Sequence, residues 1–172
     1  MQKSNNIYDL FLHMQWDDAA VWQAVLKTAD AENDEKIKNF LFHIHMVQNV
    51  YYSLWEKQPR IVRDAAEFKD LSAVEKWGQE YYGKVYTFLD HFEEQNLDFP
   101  LEIPWIKYFE AKIGKTPNSI TMGESFLQVA THSTYHRGQV NARLRILGSE
   151  PPLVDYIFWI LQGRPVPIWN GI

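Results

Sequence analysis

Six histidines lie in this chain of 172 residues, and two of them, His132 and His136, stand four residues apart in "THSTYHRGQV". On an α-helix that spacing stacks both imidazoles on one face, one turn apart. Such a pair can contribute two ligands to a divalent cation, which needs at least a third donor, or it can be ordinary packing. The chain has no cysteine, so disulfides, zinc-thiolate sites and a cysteine nucleophile are excluded. Any metal would be held by His, Asp or Glu.

Two candidates for the third donor sit in "FLFHIHMVQNVYYSLW". His43 lies three residues after Phe40 and four before Val47, on the apolar stripe of a helix. His45 falls with Leu41, Gln48 and Tyr52, toward the flank. An imidazole on an inward face is costly unless partnered, so the periodicity selects His43. A core histidine bonded to a carbonyl or a tyrosine, beside a solvated pair at His132 and His136, fits the same spacing, and both readings stand at this point. Around them, Gln139 reads as a hydrogen-bond partner for His136 and Arg137 as one arm of a structural ion pair. Asp17 and Asp18 sit mid-helix, where one would orient a histidine and the other face water. Tyr135 and Trp16 read as packing, Gly138 as a close helix approach, and His13, His45 and His91 as exposed or structural.

The elements that must position these residues are helices. Apolar residues at three- and four-residue spacing run from about Ile7 to Ala29, and from "NDEK" to about Lys57. A third run opens at Ser72, where "SAVE" fits a capping box with Glu75, and ends near Glu94. The fourth opens at Thr121, where "TMGE" offers the same box with Glu124, and stops at Gly148. Helices of this length pack most simply as an all-α four-helix bundle. The first two linkers read as short enough for antiparallel neighbours. The stretch from Asn96 to Ile120 is long, and strand formers on either side of Gly114 suggest a small β-hairpin there. A short C-terminal helix is expected beyond Pro152. One domain over residues 1–172 accommodates all of this.

Composition narrows the function. A net charge of −5 with no strong cluster of Lys and Arg argues against a nucleic-acid face, which must neutralise phosphates. The opening "MQKSNNIYDLF" lacks the apolar run of a leader, and no stretch approaches the roughly 20 apolar residues of a membrane span. A cytoplasmic protein is the expectation. The abundance of aromatic residues, 7 Trp among them, exceeds what a bundle this size can cover, and a homodimer is expected on that ground.

"THSTYHRGQVNARLRILGSEPPLVDYIFWI" resembles the signature end of the DinB-like (DinB/YfiT, damage-inducible) family. "LFHIHMVQNVYYSLW" is similar to that family's second-helix segment, with His43 at the position of its histidine, and "MQWDDAAVW" is similar to its first-helix segment. The resemblance spans essentially the whole chain. It implies a four-helix bundle with an unusual connection before the last long helix. It also implies a divalent metal (Zn, Ni or Fe) held by His43, His132 and His136. Three protein nitrogens leave a position for water or substrate, the pattern of a catalytic site, and such an ion lowers the pKa of a thiol or water. Related families use a low-molecular-weight thiol such as bacillithiol. The implied function is therefore a metal-dependent enzyme, a small-thiol S-transferase or a hydrolase acting on a small molecule. The alternatives are a non-catalytic metal-binding protein and an interaction protein of the bundle class.

Overall fold

The computed structural model describes residues 5–170; the first four residues of the chain's opening stretch and the last two of its tail lie outside them. Four long helices, α1 (Asn5–Lys27), α2 (Glu35–Trp55), α3 (Leu71–His91) and α5 (Met122–Ile146), make an all-α bundle. To these are added short helices α4 (Ile106–Ile113) and α6 (Tyr156–Leu161) and a two-stranded sheet of β1 (Pro100–Leu101) and β2 (Ile120–Thr121). Among the described residues no helix is long and apolar enough to cross a membrane.

The helix starts are chemically specified. Asp34 accepts from the backbone N–H groups of Lys36 and Ile37 to open α2. Thr121 and Glu124 form the expected reciprocal box at the head of α5. The box expected at Ser72 does not form. Asp70 caps α3 instead, accepting from Ala73 N–H, and Glu75 bonds the tail at Asn170. Asp is as good a cap as Ser, and a start two residues earlier lets Leu71 reach the core, where it is buried.

Ring contacts give the helix directions. Phe11 meets Trp55 and Trp22 meets His45, so α1 and α2 are antiparallel. Phe42 meets Trp77 while Trp55 meets Phe88, so α3 runs parallel to α2, against the expectation of antiparallel neighbours. The linker allows it: residues 56–70 reach roughly 45–50 Å when extended, more than the roughly 30 Å length of α3. Along the way Phe68 docks on Trp77 and Phe42. α5 then returns antiparallel to α2, with Trp55 against Phe126 at one end and Asp34 against Arg143 at the other.

The hairpin exists, but not around Gly114. Pro100 pairs with Thr121 and Leu101 with Ile120 at the two ends of the connection. "IKYFEAKI" between them is α4, which Gly114 ends in a left-handed conformation, φ 76°, its N–H on Glu110 O. The β-propensity of Ile, Tyr and Phe there yields to an amphipathic helical period. At the other end of the chain, Trp159 of α6 and Trp169 of the tail are buried against the bundle.

A close contact between α2 and α3 is set by one glycine. A Cβ at Gly78 would lie 2.3–2.5 Å from ring atoms of His45, whose side chain is wholly buried. Gly83, five residues on, has nothing within 4 Å of its own Cβ position. Gly78→Ala is expected to destabilise the fold by about 1–3 kcal/mol, because the ring has nowhere to move. Gly83→Ala should stabilise it by roughly 0.5–1 kcal/mol through helix propensity. Urea unfolding of the two variants checks this; equal stabilities would show that His45 is not packed against α3.

Candidate metal centre

His43 on α2 faces His132 and His136 on the antiparallel α5. One ligand atom from each lies within 4.8 Å of the other two. The Nε2 atoms of His43 and His132 are 3.1 Å apart, and the three ring centroids are separated by 4.5–5.0 Å. With metal–nitrogen bonds of 2.0–2.1 Å, donors in tetrahedral or facial octahedral geometry are spaced by roughly 2.8–3.4 Å, a range into which the His43–His132 pair falls. Two imidazole lone pairs facing each other at such a distance repel unless a proton or a cation lies between them. Burial, and then the neighbouring imidazoles, push His132 down to about 4; burial and His136 also lower His43. Protonated rings are thus disfavoured here and lone pairs are kept available.

The third ring is oriented by its own helix. His136 Nδ1–H donates to Gln139 Oε1 at 2.6 Å, which leaves Nε2 as the free donor, the role expected of Gln139. Phe40 lies against one side of His136 and Tyr135 against another. Tyr135, expected to pack, does so on His136 but is otherwise exposed, on the stripe His132, Tyr135, His136, Gln139 of α5. Gly138 permits no close approach, since a Cβ there would meet nothing within 4 Å. Trp16 is half-buried beside His13.

The remaining histidines are committed elsewhere. His45 is not on the flank; it is fully buried, and the exposed member of the pair is His43. His45 Nε2 accepts from Trp22 Nε1 at 2.8 Å, and its Nδ1–H donates to Gln48 Oε1 at 2.8 Å, so neither nitrogen is free for a metal. His13 donates to the carbonyl of Val154, and His91, exposed, lies with Nδ1 on the carbonyl of Thr87.

Beneath the imidazoles lies a second polar system. Asp17 and Asp18 are both buried, so neither faces water, and Arg137 takes both: 2.6 Å to Asp17 and 2.7 Å to Asp18. Asp18 also accepts from Tyr82 OH and from Gln48, which carries the chain on to His45. Thr134 Oγ1 accepts from Arg137 at 2.9 Å. The helix-one acids therefore orient an arginine rather than a ligand histidine.

Three imidazoles converging from two helices, His43 exposed and the other two half-buried, define a candidate metal centre in a helical bundle. The chain matches the DinB family model over residues 1–162 and belongs to that family. No curated protein matches the chain in sequence.

The two acids titrate in opposite senses. Burial pushes Asp17 up to about 7, against the pull of Arg137, and its Oδ1 has no hydrogen-bond partner. Burial also acts on Asp18, but Arg137 and the bonds from Tyr82 and Gln48 outweigh it and hold that carboxyl below its usual value. A raised folded pKa means the native state keeps a proton that the unfolded chain loses, so stability falls as pH rises from about 4 to about 7. Asp18 works the other way: its contribution is present above about 4 and fades as pH falls through the folded value. Asp17→Asn should flatten the decline between pH 4.5 and 7 in urea titrations. A variant with the wild-type slope would remove Asp17 as its source.

Proposed function

We propose that the chain is a metal-dependent enzyme whose divalent ion is held by His43, His132 and His136. The observation that carries this is the convergence of three imidazoles, one oriented by Gln139 and one, His43, exposed. Three nitrogen donors leave room for a further ligand, as catalytic rather than structural sites do. Zinc, nickel and iron all suit imidazole. When bound, such an ion supplies Lewis-acid chemistry that lowers the pKa of a thiol or water. The chain's own contribution is to keep His43 and His132 from taking up protons and to fix His136 by Gln139.

Within that reading we favour a transferase that takes a low-molecular-weight thiol such as bacillithiol and joins it to a small electrophile. The thiol comes from the family resemblance, and the absence of cysteine is compatible with it. A hydrolase is the outcome that the same experiment would otherwise reveal, and the cytoplasm is the compartment we propose. Protein purified without a histidine tag should contain one divalent ion per chain. His43→Ala, His132→Ala or His136→Ala should each weaken binding by on the order of 100-fold or more, beyond the usual effect of losing an outer hydrogen-bond partner. His45→Ala should keep the ion while losing about 3 kcal/mol of stability, because Trp22 and Gln48 lose their buried partner. Loaded protein should accelerate conjugation of an electrophile by the thiol, and metal-free protein should not. Equal rates across a thiol panel with and without the ion would sink the transferase reading; ester and amide turnover would then establish the hydrolase.

We also propose that two copies pair. α6 and the tail expose Tyr156, Ile157, Leu161, Val166 and Ile168, an apolar strip of the kind that marks interfaces. Light scattering at micromolar concentration should give twice the chain mass, and Leu161→Lys should halve it. A monomeric mass for the unaltered chain contradicts the proposal.

A further inference from the structure

From the packing of α5 we infer that Arg137, clamped between Asp17 and Asp18, is a positioning residue of the histidine centre, an inference that rests on the metal-binding reading above. Over residues 131–139, the stretch that carries both imidazoles, the buried side chains are Ser133 and Arg137. Apolar burial resumes only at Ala130 on one side and Val140 on the other. A helix is ordinarily held in rotation by an apolar stripe pressed into a groove. This part of α5 has none. Its rotation is set by hydrogen bonds and charge.

The anchors are specific. Arg137 follows His136 directly, roughly 100° around the helix, so it reaches inward to α1 while the imidazoles reach sideways to α2. Its two terminal nitrogens are bonded to two different carboxylates, at 2.6 and 2.7 Å. Gln48 donates to Ser133 Oγ at 3.3 Å and to Asp18 Oδ2 at 2.8 Å, so α2 grips the same point from its own side. Gln48 is also five residues after His43, on the same helix. One network therefore sets the angular position of all three ligand-bearing turns. Lysine could not replace it, because an ammonium is a point charge and cannot span two carboxylates in a fixed fork.

Buried ion pairs of this kind often contribute little net stability compared with uncharged replacements of similar size. Stability and metal affinity should therefore come apart. The test uses tag-free protein and Co2+ as the probe, with affinity measured by competition titration and coordination by the visible absorption spectrum. Arg137→Met combined with Asp17→Asn and Asp18→Asn removes the charges without leaving one unpaired. Phe126→Leu, in the apolar core of the same helix and away from the clamp, serves as the control for stability lost generally. The expected result is a loss of Co2+ affinity of about 10–100-fold with an altered spectrum in the triple variant, and no such change in Phe126→Leu. Arg137→Lys should fall between the triple variant and wild type, and carries the test if the triple variant does not fold. Co2+ bound within twofold of wild type, with an unchanged spectrum, by whichever of these folds would overturn the inference. Absence of Co2+ binding by the wild type would instead remove the metal reading itself, and this inference with it.

Discussion

One guanidinium between two carboxylates organises this bundle. Arg137 is 2% exposed, and a charge so placed is tolerable only while its partners stay. Removing one partner of such a group costs about 3–5 kcal/mol, which compares with the whole stability of a small domain. The pair of acids over-compensates the single positive charge. Asp17 relieves the excess by holding a proton toward neutrality, while Asp18 stays ionised because Tyr82, Gln48 and Arg137 all serve it. Four helices meet at this point: α1 gives the acids, α2 Gln48, α3 Tyr82 and α5 Arg137.

The polar core and the histidine cluster occupy different faces of α5, and the division of labour is visible in the hydrogen bonds. Inside, every connection ends on another protein group: Trp22 on His45, His45 on Gln48, Gln48 on Asp18. Outside, the imidazoles have one fixed nitrogen at His136, and Nε2 of His43 and of His132 turned toward each other. The first pattern is a network bonded internally, with Asp17 Oδ1 and Arg137 Nε left over. The second is compatible with a ligand set. Gly78 joins the two systems to the packing, because only a residue without a Cβ lets α3 close over His45.

Much of this could be read from residue types. The long apolar runs at helical spacing, the Thr121 and Glu124 box and the stacked pair His132 and His136 each have a local cause, and local causes are what a single sequence displays. His43 was selected together with them, but for a reason that does not hold. Periodicity put it on the core stripe of α2, whereas it is exposed and His45 is buried. Counting only apolar residues turned His45 and Gln48 toward the flank, when their side chains are bonded inside to one another and to α1. Adjacent acids at Asp17 and Asp18 in the middle of an apolar helix were the available signal that a buried partner was needed. The parallel course of α3 was hidden for another reason: linker length bounds what a chain can reach without dictating the direction it takes. At Asn96 to Ile120 the β-forming residues misled, because helical amphipathicity over "IKYFEAKI" outweighs their propensity.

The central claim is that His43, His132 and His136 converge on one ion. Anomalous diffraction from crystals of tag-free protein, collected at the absorption edge of the metal present, tests it most directly. The account predicts a single strong peak per chain between α2 and α5, about 2.1 Å from one nitrogen of each of the three rings. No peak there, or a peak held by other side chains, would contradict it.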